Sequence, residues 1–494
     1  MINLNKRLRD TVGAENVIDG EQGIRQYLHS FAVKPKALPR AIVLPRDSAT
    51  IQRIVILAND LCVPITPVSS RIHLHQGADP VKGGIMVDLR HLNRILEIDR
   101  RNRKVRVEAG VTWGQLIPAL MKENLMITNP LFPHRETSVV SSLLDRTPPL
   151  DPRFECAEPI ASLELVWPTG ELFRTGTASH VNYGASSAGG AYPYGPGPID
   201  PLRLLQGSQG TMGIVTWANI RVKKRPTLNE TILVPLDSPQ HVTALMHAVQ
   251  KRRIGRECFA LNAAMLKTTI CEALDLPKAF IDKRLPQWLF VLVISAAKWF
   301  PEEKIAYEKE ALRKVMDSEG LTVDCMNSDK QLFGLGPLHH ILRSPWPDPK
   351  AHWTLNGTIP HKRLFFISRL DKAPAFIRNM EQEAAGAKRI SLGVYVQPLE
   401  YGGGTHLEFA FFTPNQHDHE ADEIFWSCAI SSIKLGAHYT RPQGRRLARL
   451  VYGRLDPQYI RLLKETKRSF DPNFIMNPDK LCFSFEDKGN NGSS

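Results

Sequence analysis

The sequence predicts an α+β protein in two parts. Residues 1–225 form a mixed strand-and-helix part, residues 226–436 an antiparallel sheet with helices, and residues 437–494 a C-terminal segment. Three observations predict this. Gln206 to Val222, QGSQGTMGIVTWANIRV, is a glycine-spaced turn running into a β-branched and aromatic strand. Short apolar strands alternate with amphipathic helices up to about residue 125. Beyond Pro226, a pattern of strand, helix, strand, strand, helix occurs twice, which suggests duplicated units around one antiparallel sheet.

Taken in order, residues 1–37 read as a helical lead-in and Ala41–Leu44 as a short strand. Asp47 or Ser48 caps a helix whose Ile51, Ile54, Val55, Leu57 and Ala58 face inward. Val63–Pro67 is the next strand, and a polar loop with His73 and His75 runs from Val68 to Pro80. Gly84–Leu89, Ile95–Asp99 and Val105–Val107 follow as strands, then a helix from about Thr112 with Trp113, Leu116 and Leu120 on one side. Val166–Gly176 reads as a hairpin with a Pro-Thr-Gly turn. In the second part, strands are expected at Thr231–Pro235, Trp288–Ser295, Leu364–Ile367, Leu392–Gln397 and His406–Phe412. Helices are expected at Ser238–Val249, Pro301–Met316, Lys372–Ala385 and Ala421–Leu435. His339, His340, His352 and His361 lie in a loop-like stretch with no readable spacing, and the KGNNGSS tail reads as disordered.

The glycines of the central segment are Gly207, Gly210 and Gly213. Glycine at this density lets the backbone turn tightly and approach a ligand, and the exposed N–H groups can line an anion or ring-carbonyl site. A Rossmann fingerprint needs G-x-G-x-x-G opening a helix; here the spacing is G-x-x-G-x-x-G and a strand follows.

Composition excludes several classes. The 494 residues suffice for two or three domains. The longest apolar run, Trp288 to Ala297, is too short to span a bilayer. MINLNKRLRD at the N-terminus lacks an apolar signal core, so a cytoplasmic protein is expected. The seven cysteines are dispersed without a CxxC, which argues for reduced thiols over a disulfide framework, zinc or an iron–sulfur cluster. The net charge of +13 comes from short clusters (Arg100–Lys104, Lys251–Arg253, Arg445–Arg449) without interleaved aromatics. That favours a solvated face, or steering of an anionic substrate, over nucleic acid.

GSQGTMGIVT resembles the GSEGTLGIIT segment of the FAD-linked oxidase superfamily, whose members include D-lactate and glycolate dehydrogenases and the vanillyl-alcohol oxidase group. GGIMVDLRHLNRIL and VEAGVTWGQL are similar to GGVVLDLSRLNRIL and VEAGVTWGEL of its flavin domain, in the same order. FDPNFIMNPDKL resembles the terminal FDPNGILNPGKL, with Asn477 among the matching residues, which implies that residues 437–494 return to the flavin domain. The resemblance implies a two-part FAD-binding domain of the p-cresol methylhydroxylase (PCMH) type over 1–225 and a cap, or substrate, domain over 226–436. It also implies FAD as cofactor.

On that resemblance the diphosphate loop is Pro67 to Gly77, where PVSSRIHLHQG replaces a glycine-rich PRGGGTGLSGG. Pro67, Ser69, Ser70 and Arg71 become cofactor candidates; Arg71 could add charge beside a diphosphate. The second flavin-covering segment is Asn129 to Leu144, with Ser138, Ser141 and Ser142 where relatives have SVGG. Gly207, Ser208, Gly210, Thr211, Gly213, Ile214 and Val215 complete the cofactor set. Some relatives attach flavin through a loop histidine; the spacing of His73 and His75 differs, and surface histidines are the default reading.

For catalysis, GGGTHLEF contributes His406 with Glu408 on the same strand face, and GAHYTRPQG contributes His438, Tyr439 and Arg441. His438 or His406 could take a hydroxyl proton, Arg441 hold a carboxylate, and Tyr439 donate to a phenolate or alkoxide. Relatives hold a divalent metal with GDGNLH and GEHG; here Ala437 replaces the glutamate, and His406, His438 and Glu408 make only a minimal set, so no metal ligand is assigned.

The expected function is oxidation of a small organic alcohol, foremost a 2-hydroxy acid, by hydride transfer to FAD. Electrons would then pass to a separate acceptor protein, an iron–sulfur partner as in glycolate dehydrogenase. An oxidase or dehydrogenase of phenolic or aryl alcohols is the second reading. A flavin-binding or degenerate structural subunit of an electron-transfer complex is the third, motivated by the lost glycines. No nucleic-acid partner or membrane span is expected, and there is room for a homo-oligomer.

Overall fold

The computed structural model describes residues 4–29, 37–70, 77–151, 159–179, 195, 197, 199–276, 285–321, 338–347, 361–387, 389–413 and 419–484. Arg71, His73, His75 and His352 lie outside the described residues.

The chain opens with helix Leu4–Val12 and strand β1 (Val17–Asp19), so the lead-in is not wholly helical. β1 joins β2 (Ala41–Val43), β3 (Ile65–Val68) and β4 (Ile85–Asp88) in the order β1-β2-β4-β3. β2 and β3 both run parallel to β4. Helix Ser48–Asp60 connects β2 to β3 and buries Ile51, Ile54, Val55, Leu57 and Ala58 against them. Asp47 is its cap, accepting the Thr50 N–H at 2.6 Å.

A second sheet uses β5 (Ile95–Asp99), β6 (Lys104–Glu108), β8 (Ile160–Val166), β9 (Leu172–Arg174) and β10 (Ile214–Arg221), in the order β5-β6-β10-β8-β9. Two short strands, β7 (Leu125–Met126) and β11 (Lys223–Lys224), pair beside it. β10 is the strand of the glycine segment and sits centrally, antiparallel to β6 and β8. The Pro-Thr-Gly hairpin is present between β8 and β9.

The third sheet holds β12 (Leu228–Leu236), β13 (Glu257–Asn262), β14 (Trp288–Ala296), β15 (His361–Ser368), β16 (Ser391–Leu399) and β17 (Gly404–Phe412). Every recorded pairing in it is antiparallel. The spatial order β12-β14-β13-β16-β17-β15 is two three-stranded units meeting back to back at β13 and β16, where Ala260 faces Val396. Each unit is strand, helix, strand, strand, helix: β12, Pro239–Lys251, β13, β14, Pro301–Ser318, then β15, Ala373–Ala384, β16, β17, His419–Lys434. β13 has no counterpart among the strands located from sequence, but the duplication requires it.

The sheet's two faces differ. Helices cover one face over a core including Phe290, Leu292, Phe366, Val396, Phe409 and Phe411. On the other face, the β12-β14-β13 half is apolar and packs against Leu131, Phe132 and Leu150 from the first part of the chain. The β16-β17-β15 half is polar. Register sets rungs across it: Gln397, His406 and Ile367 in one; Tyr395, Glu408 and Phe365 in the next; Gly393, Ala410 and Arg363 in the third. The face that closes the interface on one side therefore leaves a polar surface on the other.

The C-terminal segment returns to the first sheet, where Ile65 N–H donates to Ile475 O (2.7 Å) and Asn477 N–H to Ile65 O (2.7 Å). Lys467, 1% exposed, donates to the Thr211 and Met476 carbonyls and pairs with Asp471. Removing the ammonium leaves the Asp471 charge buried with no cation beside it. Lys467→Met is expected to lower unfolding free energy by about 3–5 kcal/mol, read by chemical denaturation; a loss under 1 kcal/mol, the scale of an exposed pair, would contradict this.

Candidate active site

A cleft lies between the first two sheets. It encloses about 1000 Å³ of empty space including its open mouth. Three segments wall it: 67–70 with 77–78, 137–147, and 205–215. Of the sequence-predicted cofactor residues, Pro67, Ser69, Ser70, Ser141 and Ser142 line it, as do Ser208, Gly210, Gly213, Ile214 and Val215. The Ser69 and Ser141 hydroxyls hydrogen-bond across it at 2.5 Å.

The remaining candidates act from behind the wall. Ser138 caps helix Val139–Leu144, accepting the Ser141 N–H while its hydroxyl donates to Ala109 O at 2.6 Å. The Thr211 hydroxyl donates to Ser208 O (2.7 Å) inside the glycine turn. Asn477 braces two walls, its Nδ2 donating to Gly77 O (2.7 Å) and Gln209 O (2.6 Å). Gly207 turns beside the backbone carbonyl of Thr440. Gly210 has φ +72°, and a Cβ there would come within 2.5 Å of Pro67 Cγ. Its requirement is thus closeness of two walls as well as closeness to a ligand.

Asp145, which no sequence pattern marks, also lines the cleft. Removal from water pushes its carboxyl up to about 6, with Arg441 partly offsetting the shift. Hydroxyls, glycine-turn backbone and the apolar Leu89, Val140, Leu205 and Ile214 together suit a ligand with a flat ring and a polar tail. The residues present fit FAD.

Arg441 joins this cleft to the third sheet. It is buried, with its guanidinium 4.3 Å from the Phe365 ring centroid and Nη1 3.4 Å from Thr147 Oγ1. Beneath it lies the polar half of the sheet. Arg363 Nε donates to Glu408 at 2.6 Å, and His406 Nε2 lies 3.4 Å from the other Glu408 oxygen. Burial would raise the Glu408 carboxyl, but Arg363 and then His406 outweigh it and hold it at about 2. Burial lowers the His406 pKa and the arginines lower it further, against the pull of Glu408. Burial, then Glu408, pushes the Tyr395 hydroxyl well up, and it bonds Gln397, which in turn donates to Pro149 O.

The other catalytic candidates separate. His438 is exposed and exchanges backbone hydrogen bonds with Ile367. Since Ile367 pairs with His406 on its other side, the two histidines stand two strand spacings apart, roughly 10 Å. That distance separates the minimal metal set, and no group of three metal-ligating side chains occurs among the described residues. Tyr439 lies on the helix side of the sheet, its hydroxyl 2.8 Å from Ser432 Oγ and its ring against Phe366. Sequence reading missed Asp145, Arg363, Tyr395 and Gln397. Strand alternation from His406 and Glu408 gives their shared face, and Tyr395 and Gln397 lie on a strand the sequence does locate; what it lacks is the register that sets them beside His406 and Glu408.

Residues 39–176 match the model of the FAD binding domain family. The chain is an FAD-linked oxidoreductase with a flavin domain of the PCMH type. Over its length it is similar to the glycolate oxidase subunit GlcD of Bacillus subtilis (strain 168), 23% identical over 97% of this chain and 96% of the relative. It is 21% identical to D-lactate dehydrogenase of Anaerostipes hadrus, covering 96% of each chain. In fold it matches p-cresol methylhydroxylase with substrate bound, at TM-score 0.79 and 16% identity, over 98% of this chain and 97% of that one.

Two outcomes test this geometry. Gly210→Val, strained at positive φ and pressed on Pro67, is expected to weaken FAD binding about tenfold in a flavin titration; unchanged affinity would mean that the turn adapts. In the flavin-free protein, Asp145 is protonated more readily folded than unfolded, so its contribution to stability falls as pH rises from near 4 through about 6. Asp145→Asn should remove that slope and raise stability at pH 7–8 by up to about 3 kcal/mol; parallel pH–stability curves would contradict it.

Proposed function

We propose that the protein oxidises the carbinol carbon of a small 2-hydroxy acid. The observation that carries this is Arg441, a buried cation poised between the cleft rim at Asp145 and Thr147 and the polar half of the third sheet. A guanidinium there can hold a carboxylate bidentately while the adjoining carbon faces the cleft. The glycolate and D-lactate relatives favour the same substrate class.

Bound FAD would supply the hydride acceptor. Pro67, Ser69, Ser141 and the turn from Ser208 to Val215 would hold it, with Asn477 bracing two of these walls. His406 would accept the hydroxyl proton. With Nε2–H turned to Glu408, Nδ1 is left as the acceptor, and the ionised Glu408 would stabilise the imidazolium. Phe365 and Ile367 would limit water at that step. His438, exposed at the sheet edge, fits a rim position better than the base.

Phenolic alcohols are the second reading, favoured by the likeness to p-cresol methylhydroxylase. Arg441 would then face a phenolate. Electrons would pass to a separate acceptor protein of iron–sulfur type, since the described cysteines form no cluster. Their free thiols, together with the absence of a membrane-crossing helix among the described residues, support a cytoplasmic setting.

Anaerobic stopped-flow reduction of the bound flavin by 2-hydroxy acids and by 4-alkylphenols separates the two substrate readings. Reduction by hydroxy acids is expected; reduction by phenols alone would replace the first reading with the second. His406→Gln should retain FAD and slow reduction on the order of 10²-fold, while His438→Gln reduces near the parental rate. The reverse ranking would return the base to His438.

A further inference from the structure

A second cavity lies away from the flavin cleft, where the chain first crosses into the third sheet. It encloses about 590 Å³ including its mouth. One side is apolar: Ile117 and Leu120 of helix Trp113–Lys122, then Leu125, Met126 and Ile127. The other side is cationic or imidazole-bearing: Arg225, and His339, His340 and Arg343 on or just after helix Leu338–Leu342.

The polar groups differ in what they already hold. Arg343 is satisfied by Glu257 through two bonds of 2.7 and 2.9 Å, and by Asn229 and Ser295. The Arg225 guanidinium makes no ion pair among the described residues. His339 is 7% exposed, and its Nδ1 has no hydrogen-bond partner among the described residues. The His340 ring lies against it with centroids 4.3 Å apart. Burial, then His340, Arg343 and Arg225, press the His339 pKa down to about 3. A buried polar atom left without a partner costs on the order of 1–3 kcal/mol; an anion in this cavity would accept from the neutral His339 ring in the tautomer that carries its proton on Nδ1, and would pair the Arg225 guanidinium.

We propose that this cavity binds an amphipathic aliphatic carboxylate, its head held by Arg225 with the His339–His340 pair and its chain laid on Leu120, Leu125 and Ile127. The charge calls for an anion, and the facing apolar wall calls for a body that prefers to leave water. A ligand here would touch both the flavin-side helix Trp113–Lys122 and the segment leading from β14 to β15. That helix also reaches the flavin cleft, through Trp113 Nε1 donating to Ser142 Oγ at 3.0 Å.

Calorimetric titration of the FAD-loaded protein with acetate, butanoate, hexanoate and octanoate tests this. Affinity is expected to rise about fourfold per methylene until the cavity is filled. Arg225→Gln should weaken octanoate about tenfold or more, with FAD content unchanged. Met121→Glu, at a half-exposed position of the apolar wall, should abolish octanoate binding and serves if Arg225→Gln does not fold. Equal affinities for acetate and octanoate, or no binding, would overturn the proposal. So would octanoate binding that ignores both variants while perturbing the flavin spectrum, which would assign it to the flavin cleft.

Discussion

The Lys467 ammonium is held at 1% exposure by Asp471 and by two carbonyls from different parts of the chain, Thr211 in the glycine turn and Met476 in the C-terminal return. A cation stripped of water needs such a complete set of acceptors. Once it has them, the turn and the return cannot move independently. Asp471 spends its remaining capacity on the Ile475 and Met476 N–H groups, shaping the return so that it meets Ile65. Asn477 then follows at the position where its amide reaches Gly77 and Gln209. Two walls of the flavin cleft are therefore registered by residues about 270 and 400 positions further along the chain.

The same economy governs the third sheet. Duplication of a three-stranded unit gives two similar halves, yet their exposed faces do opposite work. Phe259, Leu261, Leu289 and Val291 close against Leu131, Phe132 and Leu150, which fixes the sheet to the flavin side by apolar burial. Arg363, Tyr395, His406 and Glu408 occupy equivalent faces of the other half and could not be buried there without partners. They satisfy each other, and Arg441 covers them from the chain's return. Mutual pairing of buried polar groups makes them rigid, as the substrate side of the proposed site would require.

Much of the fold was legible because its elements follow simple periods. Asp47, Thr112 and Ser238 mark helix starts, and the apolar runs that follow keep helical spacing. β13 escaped because ECFALN runs directly into helix Ala263–Leu266, with no turn residue to mark its end. The site was legible only where its residues sit in one motif. Asp145 lies over 200 residues before Arg363 and Tyr395 and ends a helix, while Arg363 and Tyr395 come to one face only through their register with β17. Adjacency also misled: His438 and Tyr439 are neighbours in sequence, but along an extended segment successive side chains point to opposite faces, and Tyr439 joins the core beside Phe366.

The missing glycines of the phosphate-loop and covering segments bear on how flavin is held. Where relatives bring bare backbone to the cofactor, this chain presents Ser69, Ser70, Ser141 and Ser142. A hydroxyl extends further than a backbone N–H, so a wall of serines stands back; the Ser69–Ser141 pair keeps one hydroxyl proton for a ligand, while the Ser142 hydroxyl donates to Ser138 O. The walls accommodate this because they are set by contacts behind them: the Ser138 cap, the Asn477 brace and the Gly210–Pro67 contact. Substituting glycine in the lining then changes which groups meet the ligand without requiring a different cleft. The cleft thus keeps its three walls, with hydroxyls in place of part of the bare backbone.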